Sequence, residues 1–137
     1  MSIENCIFCQ IVKKKIPAKI VFEDDYNVAF LDIFPVSSGH TIVIPKKHYM
    51  HLEDIPIKDL TNIIQTVKKV ATLIHNKLDI DGYNILQNNF KAAGQVIDHF
   101  HFHIIPRRMD DNKFKLYIPR EQANDQSLED MIEILRK

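Results

Sequence analysis

The chain has 137 residues, of which 45% are hydrophobic and 26% charged, a composition typical of one globular domain. Its 18 Lys and Arg residues balance 18 Asp and Glu residues, so the net charge of zero gives no general attraction to nucleic acid or to anionic lipid. No segment approaches the roughly 18 apolar residues of a membrane span, and the first residues lack a signal-peptide pattern. We therefore expect a cytoplasmic protein with no nucleic-acid or membrane partner.

The first half of the chain predicts a short helix followed by three strands. Two segments rich in β-branched and aromatic residues flank Glu23-Asp24-Asp25, a sequence with turn chemistry, and this arrangement predicts an antiparallel hairpin. Pro17 and Pro45 are expected to follow the ends of the helix and of the third strand. The predicted elements are a helix at about 6–13 and strands at 19–22, 27–31 and 41–44.

The second half predicts one long helix, two strands and a C-terminal helix. Between Pro56 and Leu78 the apolar residues recur every three or four positions, which indicates an amphipathic helix. Strands are predicted at 83–86 and 96–105, with Pro106 ending the second of them. Ser127 is the expected N-cap of a helix at about 127–136.

These elements predict an α+β fold, in which the long helix covers one face of an antiparallel sheet. The sequence contains no internal repeat, low-complexity tract or linker. We therefore interpret residues 1–137 as a single domain, with a core at about 6–106 and a C-terminal tail.

His99, His101 and His103 alternate with apolar residues in the segment 99–105. Because successive side chains of a strand point to opposite faces, the three imidazoles are predicted to share one face. A single strand histidine is usually a hydrogen-bonded core or surface residue. Three on one face instead indicate a chemical role, since imidazole can be a nucleophile, a proton carrier or a metal ligand.

Cys6 and Cys9 form a Cys-x-x-Cys pair. In a reducing compartment this spacing points to metal or redox use, and Zn²⁺ in a structural site needs four tetrahedral nitrogen or sulfur ligands. Two alternatives remain open, a thioredoxin-like redox pair and two unrelated buried thiols. The redox alternative lacks the expected βαβ context.

Four segments together resemble the histidine triad (HIT) family, and most closely its Hint-like branch of purine nucleoside phosphoramidases. The resemblance covers about residues 6–106. It implies a five-stranded sheet that joins its symmetry mate in a ten-stranded homodimer. The matching segments are Lys15–Lys19, Ala29–Ile33, Gly39–His48 and Gly94–His103.

The resemblance also implies a function. The chain would be a nucleotide hydrolase or nucleotidyl transferase that cleaves purine nucleoside 5′-phosphoramidates and related conjugates, such as those of AMP or GMP, and releases the nucleoside monophosphate. His101 matches the nucleophile that forms a covalent nucleotidyl-histidine, and His103 would donate to a phosphate oxygen or to the leaving group. His40 would supply a supporting hydrogen bond. No catalytic metal is expected.

Further positions match the family's nucleotide-binding and metal-binding residues. Asp32 would bind the ribose hydroxyls; the alternative for this residue is a solvated strand end. For Gly94-Gln95 the alternative is an ordinary turn before a strand. The expected phosphate-site residues are Asn88, Gly94 and Gln95, with Gln95 donating through its amide. The expected base-pocket residues are Phe8, Ile11, Ile16, Phe30 and Ile33. The expected ligands of a structural Zn²⁺, as in zinc-containing bacterial relatives, are Cys6, Cys9, His48 and His99.

One residue departs from the family pattern. Hint-like proteins commonly have Ser or Thr after Gly-Gln, whereas this chain has Val96, which has no hydroxyl to assist the leaving group. We therefore expect slower turnover of substrates with amine leaving groups.

Three other functions remain open at this point. The same family suggests hydrolysis of dinucleoside polyphosphates. A different enzyme class would use all three imidazoles to hold a catalytic metal that activates water. A non-catalytic nucleotide-binding scaffold dimer is the third.

Overall fold

The computed structural model describes residues 3–113 and 119–137. Within them, five strands form one sheet in the order β1-β2-β3-β5-β4, and all neighbouring strands pair antiparallel. The predicted α+β class and five-stranded antiparallel sheet are confirmed. The elements are α1 (Ile7–Val12), β1 (Ile20–Glu23), β2 (Asn27–Leu31), β3 (Thr41–Pro45), α2 (Ile57–Lys77), β4 (Gly82–Gln87), β5 (Phe102–Arg107) and α3 (Asp125–Arg136).

The hairpin of β1 and β2 turns at Asp24. Its carboxylate oxygen accepts the backbone N–H groups of Tyr26 and Asn27 at 2.8 Å and 2.7 Å. This is the local side-chain to backbone bonding that favours Asp in turns. The acidic turn expected between the two strands is therefore confirmed.

The long helix α2 covers one face of the sheet with its apolar stripe. Phe100, Phe102 and Ile104 belong to the same buried cluster as this stripe. Burying a side chain of this size contributes roughly 1.5–3 kcal/mol each, so this face supplies much of the core. The helix residues of the cluster are Ile63, Val67, Val70, Ala71 and Ile74.

The other face of the sheet packs against the short helix α1. Phe8, Cys9 and Ile11 are buried there in one cluster with sheet residues, which are Val28, Phe30, Ile42 and Ile44. The three histidines of segment 99–103 lie on this side: Phe8 contacts the rings of His99 and His101 edge-on, and the His101 ring contacts that of His103. The predicted division of the segment into an imidazole side and an apolar side is therefore confirmed.

The bounds predicted for the last strand are wrong. The strand begins at Phe102 rather than at Val96, and it runs through Pro106 to Arg107. Before Phe102 the backbone bends, and the N–H of Phe100 donates to the carbonyl of Tyr49 instead of to a neighbouring strand. Pro106 is tolerated because its recorded strand partner is Tyr83 on β4, whereas the pairing with β3 reaches only to Ile104.

The C-terminal helix is present, but its predicted N-cap is also wrong. Asn124 caps α3, accepting the N–H of Ser127 at 2.8 Å, and the helix begins at Asp125. The Ser127 hydroxyl instead donates to the carbonyl of Asn124. The sequence offers two good capping residues three positions apart, and the hydrophobic pattern does not choose between them. Among the described residues, no helix combines the length and apolarity needed to cross a membrane.

Candidate functional site

A cleft of about 430 Å³ lies between α1, the end of β2 and segment 94–103. Its walls are largely apolar, and His101 and His103 form part of them. It brings together most of the residues that the sequence predicted for nucleotide binding. Those that line it are Phe8, Ile11, Ile16, Phe30, Asp32, Ile33, Gly94, His101 and His103.

The ring of His101 has one nitrogen fixed and the other available. Its Nδ1 lies 2.6 Å from the carbonyl oxygen of His99, a group that can only accept, so Nδ1 carries the hydrogen. Nε2 then has a lone pair. Because no buried side-chain nitrogen among the described residues lacks a partner, and none is recorded for this Nε2, solvent reaches it. His101 therefore presents a nucleophilic nitrogen to the cleft.

His103 is oriented by a chain of hydrogen bonds that begins at the backbone. The N–H of Val36 donates to His40 Nδ1 at 3.0 Å, so the neutral His40 ring carries its hydrogen on Nε2. That Nε2 lies 2.9 Å from His103 Nδ1 and donates to it. The neutral His103 ring then carries its own hydrogen on Nε2. These hydrogen bonds give His40 the geometry that its expected supporting role requires.

Burial favours the neutral form of these rings. It lowers the pKa of His103 to about 4, with smaller contributions from the neighbouring His101 and His40, and it also lowers the pKa of His40 and of His101. At neutral pH the site thus contains a neutral nucleophile beside a neutral donor.

Asp32 lies just after β2, at the rim of the cleft. One carboxylate oxygen accepts the N–H of Phe34 at 2.8 Å, and the other lies 3.5 Å from His40 Nε2. The side chain is therefore fixed in direction while keeping acceptor capacity. A pair of vicinal hydroxyls at the rim is the kind of group that it can bind.

Gln95 does not serve the phosphate site in the way the sequence suggested. Its side chain is buried, and its amide nitrogen donates to the carbonyls of Met50 at 2.8 Å and Ile97 at 3.1 Å. Both amide hydrogens are used, so none is left for a phosphate oxygen. Asn88 does not line the cleft either. Its Nδ2 lies beside Gly94, 3.8 Å from the position that a Cβ would occupy on that glycine.

The sequence missed several residues of the cleft. They are Ile7, Pro17, Ala18, Leu31, Phe34, Ile42 and Ile97, and the structure adds Val96, which the sequence had placed near the leaving group, to the wall. Exposure in the structure identifies the most telling of them: Phe34 is apolar yet 83% exposed, as are the predicted Ile33 at 80% and Val96 at 83%. Apolar side chains kept in solvent around a cleft indicate a binding surface rather than a core.

A second cluster lies beside the cleft, where Cys6, Cys9, His48 and His99 converge. His99 Nδ1 lies 3.4 Å from Cys6 Sγ and 3.1 Å from His48 Nδ1, and Cys9 Sγ lies 3.3 Å from His48 Nδ1. Tetrahedral Zn²⁺, with bonds of about 2.3 Å to sulfur and about 2.0 Å to nitrogen, separates its ligand atoms by roughly 3.3–3.8 Å. The donor types and spacings therefore fit a closed zinc site.

The protonation of His99 suits a metal ligand. Its Nε2 lies 2.8 Å from the carbonyl of Pro45 and donates to it, which leaves the Nδ1 lone pair facing the two sulfurs. Burial lowers the pKa of His99 to about 4, so the ring is neutral at pH 7. Burial, together with the contact to Cys6, raises the pKa of Cys9 to about 11, so a cation is needed to hold this sulfur as thiolate.

This arrangement contradicts one alternative. With Nε2 bonded to Pro45 and Nδ1 in the Cys/His cluster, His99 has no nitrogen directed at the cleft. The three imidazoles of the triad therefore do not converge on one catalytic metal.

Comparison with known proteins is consistent with this geometry. Residues 13–110 match the family model described as HIT domain. The adenosine 5′-monophosphoramidase HNT1 of Saccharomyces cerevisiae is 41% identical over 119 residues, which cover 87% of this chain and 73% of the yeast protein.

Solved structures are also similar. A member of the HIT family from Bacillus subtilis superposes with a TM-score of 0.90 at 34% identity, covering 96% of this chain and 95% of its own. A Zn-bound histidine triad family protein from Mycobacterium smegmatis superposes with a TM-score of 0.77 at 34% identity, covering 98% of both chains.

Proposed function

Because this chain belongs to the HIT domain family, we propose that it hydrolyses purine nucleoside 5′-phosphoramidates and related nucleotidyl conjugates through a covalent intermediate on His101. The single observation that carries the proposal is the hydrogen bond from His101 Nδ1 to the His99 carbonyl, which leaves Nε2 unprotonated at the cleft. The relative named adenosine 5′-monophosphoramidase supports the choice of substrate.

The reaction has two displacements at phosphorus. In the first, the Nε2 lone pair of His101 forms a bond to phosphorus as the P–N bond breaks, and the departing amine gains a proton. His103 Nε2–H is placed to donate to a phosphate oxygen or to this leaving group. In the second, water attacks phosphorus and returns to His103 the proton that left with the amine, the bond to His101 breaks, and the nucleoside monophosphate is released. The charge that develops in the first step faces a hydrogen-bond donor, His103 Nε2–H, that is already oriented.

The cleft also suggests how the nucleoside binds. The base would lie against Phe8, Phe30 and Ile33, while the ribose hydroxyls would donate to Asp32. Because this slot offers few polar groups to the base edge, discrimination between adenine and guanine is expected to be weak.

The rival substrate, a dinucleoside polyphosphate, is less well supported. Among the described residues that line the cleft there is no Lys or Arg. A polyphosphate leaving group would bring several negative charges into the cleft. Asp32 is the one charged residue among the described residues that line it, so no cation there would offset these charges.

We propose that Cys6, Cys9, His48 and His99 bind one structural Zn²⁺. The ion would join α1 to the residues after β3 and before β5, because its ligands come from these three segments. With four protein ligands it would keep no open position for substrate.

We also propose a homodimer, which is the remaining partner expected from the family. The edge strand β4 pairs with β5 on one side and has no recorded strand partner on the other within the described residues. Tyr83 and Ile85 on this strand are exposed apolar residues. Pairing of two β4 edges would give the ten-stranded sheet and protect both edges.

The experiment that tests the activity is a steady-state assay with adenosine 5′-phosphoramidate. Replacement His101→Ala should lower kcat by at least about a thousandfold, since the nucleophile is removed. The matched control is His75→Asn, which changes an exposed histidine of α2 outside the cleft and should leave kcat unchanged. Equal activity of the His101→Ala variant and the wild type would refute the mechanism.

A further inference from the structure

The turn before the histidine segment contains a backbone conformation that needs an explanation. Phe90 has φ 70° and ψ 159°, a region that is normally occupied only by glycine. A side-chain-bearing residue stays in such a conformation only when its surroundings hold it there. The hydrogen bonds of this turn must therefore hold the Phe90 backbone in place.

The restraint comes mainly from Gln95. Its Oε1 accepts the N–H of Phe90 at 2.8 Å, and its backbone N–H donates to the Phe90 carbonyl at 3.2 Å. The amide nitrogen of the same side chain is tied to the carbonyls of Met50 and Ile97. Gln95 is 4% exposed, so these bonds are shielded from water. One side chain thus connects the strained residue to two other segments.

The chain on both sides of Gln95 forms the wall of the cleft. Gly94 and Val96 line it, whereas Gln95 points into the protein. Gly94 has φ +96°, so this wall also depends on a left-handed residue. Gly94 and Val96 are joined to Gln95 by peptide bonds. A change in the hydrogen bonds that hold Gln95 would therefore change the position of these two cleft-lining residues.

We propose that Gln95 is a positioning residue, which holds the strained Phe90 turn and thereby places Gly94 and Val96 at the phosphate side of the cleft. Its effect on catalysis rests on the proposed function, but its effect on the turn does not. This role replaces the direct donation to phosphate that the sequence suggested, because both amide hydrogens already have partners.

The turn is also held from outside. The ring of Phe90 stacks on His51 with centroids 3.9 Å apart, and Asn89 Oδ1 accepts the N–H of Leu52 at 2.8 Å. These contacts bind the turn to the same 50–52 segment that Gln95 reaches through Met50. They do not reach the N–H of Phe90, whose recorded partner is Gln95 Oε1, while the Phe90 carbonyl also accepts the N–H of Ala93 at 3.1 Å.

A double-mutant cycle tests the proposal. Gln95→Met keeps the size of the side chain and removes its bonds to the turn, and Phe90→Gly makes the conformation accessible without restraint. In the wild-type background, Gln95→Met should lower kcat about tenfold and change KM less than about threefold. In the Phe90→Gly background the same replacement should lower kcat by less than about threefold. An equal loss in both backgrounds would overturn the proposal, because it would show an action independent of the turn.

A second measurement separates this proposal from the activity itself. Hydrogen exchange of the Phe90 amide should be at least about tenfold faster in Gln95→Met than in the wild type, because its acceptor is lost. Gln65→Met, on the exposed face of α2, is the matched control and should leave this exchange rate unchanged. If the wild type proves inactive on phosphoramidates, the proposed function fails while this measurement still tests Gln95. Unchanged exchange of Phe90 in Gln95→Met would overturn the positioning role.

Discussion

The carbonyl oxygen of His99 accepts the Nδ1 hydrogen of His101 at 2.6 Å, while the ring of the same His99 lies within the Cys/His cluster. One residue therefore contacts both the proposed zinc site and the proposed nucleophile. Displacement of the His99 ring would move the carbonyl that fixes the tautomer of His101.

Removal of the metal should affect both stability and catalysis. If free Zn²⁺ is a hundredfold above its dissociation constant, its binding stabilises the fold by about 2.7 kcal/mol. Cys9→Ser should therefore lower the melting temperature in the presence of zinc and remove most of the difference between zinc-loaded and chelator-treated protein. It should also lower kcat, by about tenfold, through His99. Metal analysis and calorimetry check the first effect. Zinc content below about half an equivalent in wild type purified without chelator would contradict the site.

His40→Phe should reduce activity without removing the nucleophile. The replacement keeps a buried ring but loses the bonds to Val36 and His103. The part-buried N–H of Val36 then lacks its acceptor, at a cost of up to about 1–3 kcal/mol. Loss of the orientation of His103 should lower kcat by about ten- to a hundredfold, less than the loss caused by His101→Ala. A kcat equal to that of the wild type would contradict the supporting role of His40.

Asp32→Asn should weaken recognition of the ribose. If Asp32 accepts hydrogen bonds from the hydroxyls, the wild type should prefer a ribonucleoside substrate to its 2′-deoxy analogue by roughly tenfold in kcat/KM. The Asn variant should reduce that preference to about threefold or less. Measuring both substrates with both proteins checks the interaction. An unchanged preference would place the ribose elsewhere.

Val96→Ser should increase turnover of substrates with poor amine leaving groups. Val96 lines the cleft and is 83% exposed, so the change costs little stability. The added hydroxyl can donate to the departing nitrogen, and kcat should rise about three- to tenfold. Val96→Ala is the control for size and should give no gain. Equal rates for the Ser and Ala variants would contradict assistance of the leaving group by the hydroxyl.

The fold should lose stability as the pH falls from about 6.5 towards 4. Burial lowers the pKa of His103 to about 4 in the folded state, whereas an unfolded His titrates near 6.5. Between these values the unfolded chain binds the proton and the folded chain does not, so lower pH favours unfolding. His103→Asn should show a smaller decrease in the free energy of unfolding over this range. Urea denaturation at pH 7 and pH 5 measures the free energy of unfolding. The same decrease between the two pH values in both proteins would contradict the lowered pKa of His103.

The sequence was sufficient where a local period or a strong local preference decides structure. Alternation from His99 to Ile104 predicted the two faces of the segment, and the apolar repeat from Leu60 to Ile74 predicted α2, because each follows from the geometry of its own backbone. The bounds of β5 were not predictable in this way. They depend on where β3 and β4 end, which is a property of the neighbouring strands.

The site shows the same limit. Cys6 and His99 are 93 positions apart, and no local pattern brings them together; the family resemblance supplied that expectation. Gln95 was expected at the phosphate because its type and position permit it. Whether the amide points into the cleft or into the protein is decided by the carbonyls of Met50 and Ile97, which sequence spacing does not reveal.

The proposed mechanism requires a bond between His101 Nε2 and phosphorus. Rapid alkaline quenching of the wild-type protein with an adenosine 5′-phosphoramidate tests this bond, because the P–N bond of a nucleotidyl-histidine survives in base and hydrolyses in acid. The quench is followed by mass analysis of the peptide that contains residues 99–103. We expect a transient adenylyl adduct on His101, which forms and decays at rates compatible with turnover. Rapid hydrolysis with no adduct on this peptide, or with an adduct on another residue, would contradict it.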